Sequence, residues 1–426
     1  MKRFISILAL LLMIPLGASA QWYLFPLDKK TQEKKDTTAK VKPAVPAEKT
    51  EKAEKTVTPV PETYTFSNEV QEPEMEAEPL DTSDVYMLDM PDVMDIAMIL
   101  PLNVSEKPNS NFLGMYAGGL LAARDLGREG LKINFNIYDS ADKSNPLTGG
   151  IFDGSDLVIG PVSTNEILSA TEIAGRRTRI ISPLEPKAAS LTDSCHVIQA
   201  PASWYDQVDK LVEWIQDECV IGDEVVVIKD TVQGGMGEQA AYLMTKIASS
   251  GLRHKTVNSA SLVTPSSIGN TRYVIASDRD AFISAAVRQI GASTIRRKTG
   301  NVYLYLTSKM RNAKGVDVKQ LYLANARVTT NYFIDYSDPK VKDFILAYRA
   351  LYKDEPDSFA FQGYDCVHYF ATMCAKYGRR WYKKLPEYSE RGLQSNFQFE
   401  DSETAGQINR AVRKVIYGRD NSIIVQ

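Results

Sequence analysis

Histidine and cysteine are scarce in this chain, three and four residues out of 426, and their scarcity removes most reaction classes at the outset. His196, His254 and His368 lie in no H-E-x-x-H helix, no G-x-S-x-G elbow occurs, and no pattern pairs two carboxylates across a cleft. Without a nucleophile and its base, no enzyme is expected. The cysteine spacings do not resemble a zinc site, so neither a metal nor a cofactor is expected. The stretch "QGGMGEQ" lacks the Lys-Ser/Thr ending of a phosphate loop and does not fit G-x-G-x-x-G. It reads as a flexible strand-to-helix turn.

Excess positive charge is also missing. The formal net charge is -3, which offers no general attraction to a phosphate backbone, and nucleic acid is excluded as a partner. Beyond the N-terminus no apolar run approaches the roughly 20 residues a membrane helix needs, so no transmembrane segment is expected. Cys366 and Cys374 read as lying on one helix, where their spacing rises about 12 Å, beyond disulfide reach. Cys195 and Cys219 pair only if the fold brings them together, and are otherwise buried thiols.

What is present begins with a charged, greasy and small-residue order: Lys2 and Arg3, the apolar run from Phe4 to Leu16, then Ala18-Ser19-Ala20. That is the pattern of a secretory signal peptide over residues 1–20, without a nearby cysteine to carry a lipid. The mature chain is expected in the periplasm, with secretion as the alternative. Residues 21–91 read as a spacer, since "KKTQEKKDTTAKVKPAVPAEKTEKAEKTVTPVPET" and the acidic run after it hold too little apolar surface to offset ordering. Trp22, Tyr23 and Phe25 at its start are either a docking cluster or part of an inert leader.

From Met94 the pattern becomes regular. "DIAMILPL", "KINFNIYDS", "DLVIGP" and "RIISPL" read as strands, with "NFLGMYAGGLLAARDL" and "STNEILSATEIAG" helical between them. The alternation restarts with a helix at 204–219 and strands at 224–230, 273–277 and 302–308, separated by helices at 237–252 and 280–291. Strands alternating with helices imply parallel sheets covered on both faces. Two such sets over about 330 residues exceed one comfortable core and predict two lobes. Ligands of such sheets sit beyond the carboxyl ends of the strands. The terminal "RKVIYGRDNSIIVQ" reads as a β-hairpin about a Gly-Arg-Asp-Asn turn.

The order of "IAMILPL", "MYAGGLLAARDL", "NIYDS", "LVIGPVS", "IISPL", "IKDTVQGGMGEQAAYLM" and "DYSDPKVKDFILAYRALYKDEPDSFAFQGYDCVHYFATMCAKYG" resembles type I periplasmic binding proteins of the branched-chain amino-acid-binding kind. "FQGYD" and "GLQSNFQFE" are similar to members found in the Bacteroidetes, some of which carry LysM modules where this chain has its spacer. The resemblance implies an α/β fold of two Rossmann-like lobes with parallel central sheets, joined by a hinge. It assigns residues 92–202 plus 331–398 to one lobe and 203–330 plus 399–426 to the other.

It also implies a site. Gly160 and Pro161 end a strand sharply, and Ser163 with the amides after Val162 stands at a helix start suited to an anion; Ser163 equally suits an N-cap. Ser182 and Pro183 form the second wall, although Glu185 close by would repel a ligand carboxylate. The second lobe would contribute Trp204, Tyr205, Gln233, Ser277 and Asp278, while Asp278 also suits a helix cap and the aromatics also suit packing. Tyr364 and Asp365 are expected to organise the hinge. The resemblance implies a non-enzymatic module that binds a small polar ligand, such as an amino acid, a peptide or a cell-wall fragment, and works with an ABC permease. The alternative it implies is a cell-envelope scaffold similar to lipoprotein activators of penicillin-binding proteins, with a cell-wall synthesis protein as partner and a vestigial cleft.

Overall fold

The computed structural model describes residues 89–426 apart from 176, 192–196, 267, 296–300 and 403–405. The expected signal peptide and all but the last residues of the expected spacer lie outside the described residues, as does Cys195 and with it any pairing to Cys219.

In chain order the first half runs β1 (Met94–Leu100), α1 (Ser110–Arg128), β2 (Ile133–Asp139), α2 (Gly149–Asp153), β3 (Leu157–Ile159), α3 (Thr164–Ile173), β4 (Ile180–Ser182) and β5 (Val197–Gln199). The second set is α4 (Trp204–Glu218), β6 (Glu224–Lys229), α5 (Glu238–Ser249), β7 (His254–Val257), β8 (Thr271–Ala276), α6 (Asp280–Ile295), β9 (Val302–Thr307), α7 (Ser308–Arg311), α8 (Val318–Leu323) and β10 (Ala326–Thr330). The chain then returns through α9 (Pro339–Tyr352), α10 (Ser358–Tyr377), β11 (Glu390–Arg391), β12 (Asn396–Phe397), β13 (Phe399–Asp401) and β14 (Gln407–Asn409), and ends in β15 (Arg413–Tyr417) and β16 (Ile423–Val425).

Two seven-stranded sheets result, ordered β13-β14-β5-β4-β3-β1-β2 and β16-β15-β10-β9-β8-β6-β7. Within each, the five strands that come first in the chain are parallel. Their sequences explain this, since runs such as Val225–Ile228 and Ile96–Leu100 are buried on both faces, as parallel strands covered by helices must be. One face of the first sheet packs Met98 and Leu100 with Val367 and Phe370 of α10; the other packs Ala97 and Val158 with Ile167 and Ala170 of α3. The second sheet centres on Val227, Ile275 and Leu306, covered by Leu211 and Ile215 of α4 and Ile283 and Val287 of α6.

The C-terminal hairpin forms, with Val415 opposite Val425 and Gly418 N–H donating to Ser422 O. The lobe boundary expected at 399 is corrected. Phe399–Asp401 and Gln407–Asn409 join the first sheet, where β14 runs parallel to β5 and carries β13 antiparallel on its outer edge. Phe399 explains the placement, because it is 1% exposed and its ring stacks on Tyr369 of α10 at 5.7 Å. The chain crosses between the sheets at residues 200–203, 331–338 and 410–412.

Candidate functional site

The topology selects where a ligand can sit. In each sheet the first five strands follow the order second, first, third, fourth, fifth, so the direction of winding reverses between β1 and β3 and again between β6 and β8. A crevice opens beyond the strand ends at such a switch point. The loop of residues 160–163 follows β3, and Ser277 and Asp278 follow β8, so sequence-selected residues lie at both.

At the first switch point Gly160 has φ +99, and a Cβ there would lie 2.0 Å from Ile99 O. No other residue fits, and Gly160 N–H completes the sheet by donating to Ile181 O at 2.7 Å. Val162 is 2% exposed, its side chain in the core. Ser163 caps α3 in a reciprocal box. Its Oγ donates to Glu166 Oε2 at 2.5 Å, its N–H reaches the same oxygen at 3.3 Å, and Glu166 N–H donates back to Oγ. Thr164 Oγ1 donates to Glu185 Oε2 at 3.1 Å. The Ser163 hydroxyl and N–H and the Thr164 hydroxyl are therefore already held by two of the chain's own carboxylates. Ser182 is different, being 0% exposed with an Oγ that has no partner among the described residues. Next to it Pro183 O accepts Gln362 Nε2 at 2.9 Å.

At the second switch point Asp230 is 2% exposed and accepts both Nε and Nη2 of Arg279, at 2.7 and 2.8 Å, plus Ser277 Oγ at 2.8 Å. The Arg279 bonds hold the Asp230 carboxyl below its usual range, against the opposing effect of burial. Asp278 does cap a helix, but α5 rather than α6: Oδ2 accepts Ala240 N–H at 3.1 Å while Oδ1 pairs with Lys309 Nζ at 2.5 Å. Trp204 and Tyr205 stack at 3.6 Å, Tyr242 meets both rings edge-on, and Tyr205 O–H donates to Glu238 at 2.7 Å. Gln233 is exposed on the loop after β6.

Between the sheets lies a buried polar hinge. Asp365 is 2% exposed and accepts the N–H groups of Leu393, Gln394 and Ser395 at 2.6, 2.9 and 2.9 Å. Burial pushes its carboxyl up to about 6, against the pull of these amides and of Arg413. Arg413, 1% exposed, donates to the carbonyls of Phe333, Leu393, Gly392 and Ser395 and to Asn396 Oδ1. Gln362 Oε1 accepts Ser395 Oγ at 2.8 Å, tying the Pro183 wall to the same hinge. Asp365 thus ties α10 to residues 393–395, and Tyr364 O–H donates to Asp125 Oδ2 of α1 at 3.3 Å.

Beside the hinge His368 Nδ1 lies 3.2 Å from Glu390 Oε1. This bond raises the His368 value above 6.5, burial opposing it and the charges of Glu390, Asp365 and Glu129 assisting. Burial raises Glu390, but His368 and Tyr388 outweigh it and hold the carboxyl below 4.5. The histidine contribution to stability is thus complete below pH 6.5 and lost as pH rises through its folded value, while the glutamate contribution is lost as pH falls below 4.5. His368→Gln is expected to cost roughly 1 kcal/mol near pH 5.5 and less at pH 8.5, measured by urea denaturation across that range. A cost that does not change with pH contradicts the pairing.

The sequence pattern omitted Glu166, Lys309, Gln362 and Arg413. Only Glu166 had a local signal, the Ser-x-x-Glu box; the others become relevant through contacts far apart in the chain.

No family model and no curated protein sequence matches the chain. Among solved structures, a protein of Rhodospirillum rubrum described as a branched-chain amino acid ABC transporter superposes with TM-score 0.51 at 15% identity, covering 78% of this chain and 100% of that one. An ABC transporter substrate-binding protein from Desulfitobacterium hafniense in complex with leucine gives 0.44 at 14%, covering 78% and 99%. A solute-binding protein of an ABC transporter from Rhodopseudomonas palustris, in complex with 3,4-dihydroxybenzoic acid, gives 0.41 at 14%, covering 76% and 93%. With its two mostly parallel seven-stranded sheets, its paired switch points and its threefold crossover, the chain has the two-lobed α/β fold of a type I periplasmic binding protein.

Proposed function

We propose that this chain is an exported, periplasmic, non-enzymatic module that holds a small polar ligand between its lobes, for delivery to an ABC permease or for sensing. The observation that carries this reading is the two-lobed α/β fold with a switch point in each sheet, and the occupied loop after β3 bears on the ligand class. Ser163 and Thr164 already donate to Glu166 and Glu185, so a ligand carboxylate arriving there meets two like charges. The ligand class this favours lacks a free carboxylate and carries neutral or cationic groups, for which Trp204 and Tyr205 offer stacking faces. Peptide amides and cell-wall sugars fit better than free amino acids.

In a thermal-unfolding screen of the mature chain, amino sugars, peptide amides and polyamines are expected to raise the midpoint, since a ligand at 100 times its dissociation constant adds about 2.7 kcal/mol. Free amino acids are expected to do so only with Glu185→Gln, and Trp204→Ala is expected to weaken the best hit by about tenfold. Stabilisation of the wild type by free amino acids would overturn the assignment.

A second reading, the envelope scaffold with a vestigial cleft and a cell-wall synthesis protein as partner, is favoured by one observation. Ser163, Tyr205, Ser277 and Asp278 all have their hydrogen bonds within the chain. A flat screen on folded protein, together with retention of a purified cell-wall synthase on the immobilised chain, would favour it.

A further inference from the structure

A cavity of about 330 Å³ opens beside the last crossover and is lined by no residue of the switch-point loops. Lys210 of α4 lines it from the second lobe, Glu390 and Arg391 from β11, and Arg410 from the last crossover, with Ala411 and Val412 as its apolar wall. Its lining thus holds three cations and one carboxylate, and that carboxylate is engaged on both oxygens, by His368 at 3.2 Å and by Tyr388 O–H at 3.1 Å.

The cations keep donors to spare. Lys210 Nζ pairs with Glu213 at 2.7 Å, using one of its three N–H groups. Arg410 holds Asp206 through Nη1 at 2.8 Å and approaches Glu400 through Nε at 3.4 Å. Arg391 gives Nη1 to Val425 O at 3.2 Å and stands 3.8 and 4.0 Å from Asp335 and Asp338. Their side chains are 39 to 44% exposed, so solvent reaches all three. The cavity would hold roughly ten waters' volume, more than an inorganic ion requires.

We infer that this hinge-side cavity is a second binding site, for a small organic dianion such as a dicarboxylate or a phosphomonoester, bridged by Lys210, Arg391 and Arg410. The two ends of a short dicarboxylate, or the one doubly charged end of a phosphomonoester with its apolar stem against Ala411 and Val412, suit these cations, and arginine favours the bidentate geometry of carboxylate and phosphate. Because Lys210 belongs to one lobe and Arg391 to the other, an occupant ties the lobes together across the hinge and restricts their opening. The inference does not depend on the cleft reading, because the two sites share no residue.

The test is titration calorimetry of the mature chain with succinate and, separately, with glycerol 3-phosphate, ionic strength being held constant with sodium chloride. Saturable binding of at least one is expected, weakened about tenfold or more in Lys210→Met/Arg391→Gln, a pair whose exposed ion pairs contribute little to folding. If both titrations on the wild type give no saturable heat up to about 10 mM, a range that detects even millimolar affinity, the site does not exist. Equal affinity in wild type and double variant would place the binding elsewhere and also overturn it.

Discussion

Arg413→Ala is expected to destabilise the chain by about 3 to 5 kcal/mol, the range for removing one partner from a buried charged network. Arg413 begins β15 of the second sheet, where it pairs with Thr330 of β10. Its guanidinium reaches back to the segment of residues 392–396 and to Phe333 on the middle crossover. Truncation takes a donor from four carbonyls, of which Ser395 O keeps Gly392 N–H, and removes the charge facing Asp365; a buried carbonyl left unpaired costs about 1 to 3 kcal/mol. The midpoint should fall by at least about 5 °C. Arg413→Lys should recover little, because one compact ammonium cannot reproduce a planar fork with five donors. Calorimetry also separates a hinge role from general packing. Loss of the clamp should split one unfolding transition into two as the lobes uncouple, whereas a single transition shifted by less than about 1 kcal/mol would show that Arg413 does not bind the crossovers together.

The contrast between what the sequence pattern discloses and what it withholds follows from range. Strands such as Glu224–Lys229 and helices such as Trp204–Glu218 lie within a residue or so of the segments their patterns predict, because burial on both faces and capping by Ser203 and Asp206 leave local marks. Short elements leave none: β5 is three residues long, and β14 takes its place through pairing with β5, more than 200 positions earlier in the chain. Ser182, Pro183, Trp204 and Tyr205 lie outside the switch-point loops, whereas Gly160 to Ser163 after β3, Gln233 after β6, and Ser277 and Asp278 after β8 fall at them. Their saturation was not legible. That Lys309 neutralises Asp278, or that Glu185 occupies Thr164, depends on how one loop lies against another.

Gly363→Ala is the second large effect expected, and it joins packing to the site. α1 and α10 cross with their backbones in contact. A Cβ on Gly363 would lie 1.9 Å from Met115 O, and one on Gly118 would lie 1.9 Å from Ala360 O. Backbone carbonyls held in two long helices cannot rotate aside, so the helices must separate. Overpacking of this kind costs about 1 to 3 kcal/mol and sometimes more, and the upper end is expected because the obstruction is reciprocal. Gly127, near the end of the same α1, faces open space, with nothing within 4 Å of where a Cβ would stand; Gly127→Ala should therefore be neutral or gain up to about 1 kcal/mol from helix propensity. The pair of variants separates steric cost from glycine's intrinsic helix weakness in one urea titration each. The site consequence follows from register, because Gly363 stands between Gln362, which holds Pro183 O, and Asp365, which holds residues 393–395. Displacing α10 at that turn pulls both anchors from the hinge at once. Any ligand found in the screen should accordingly bind Gly363→Ala at least about tenfold more weakly at a temperature where the variant is still folded, while Gly127→Ala binds as wild type. Unchanged affinity in Gly363→Ala would mean that the cleft is positioned without α10.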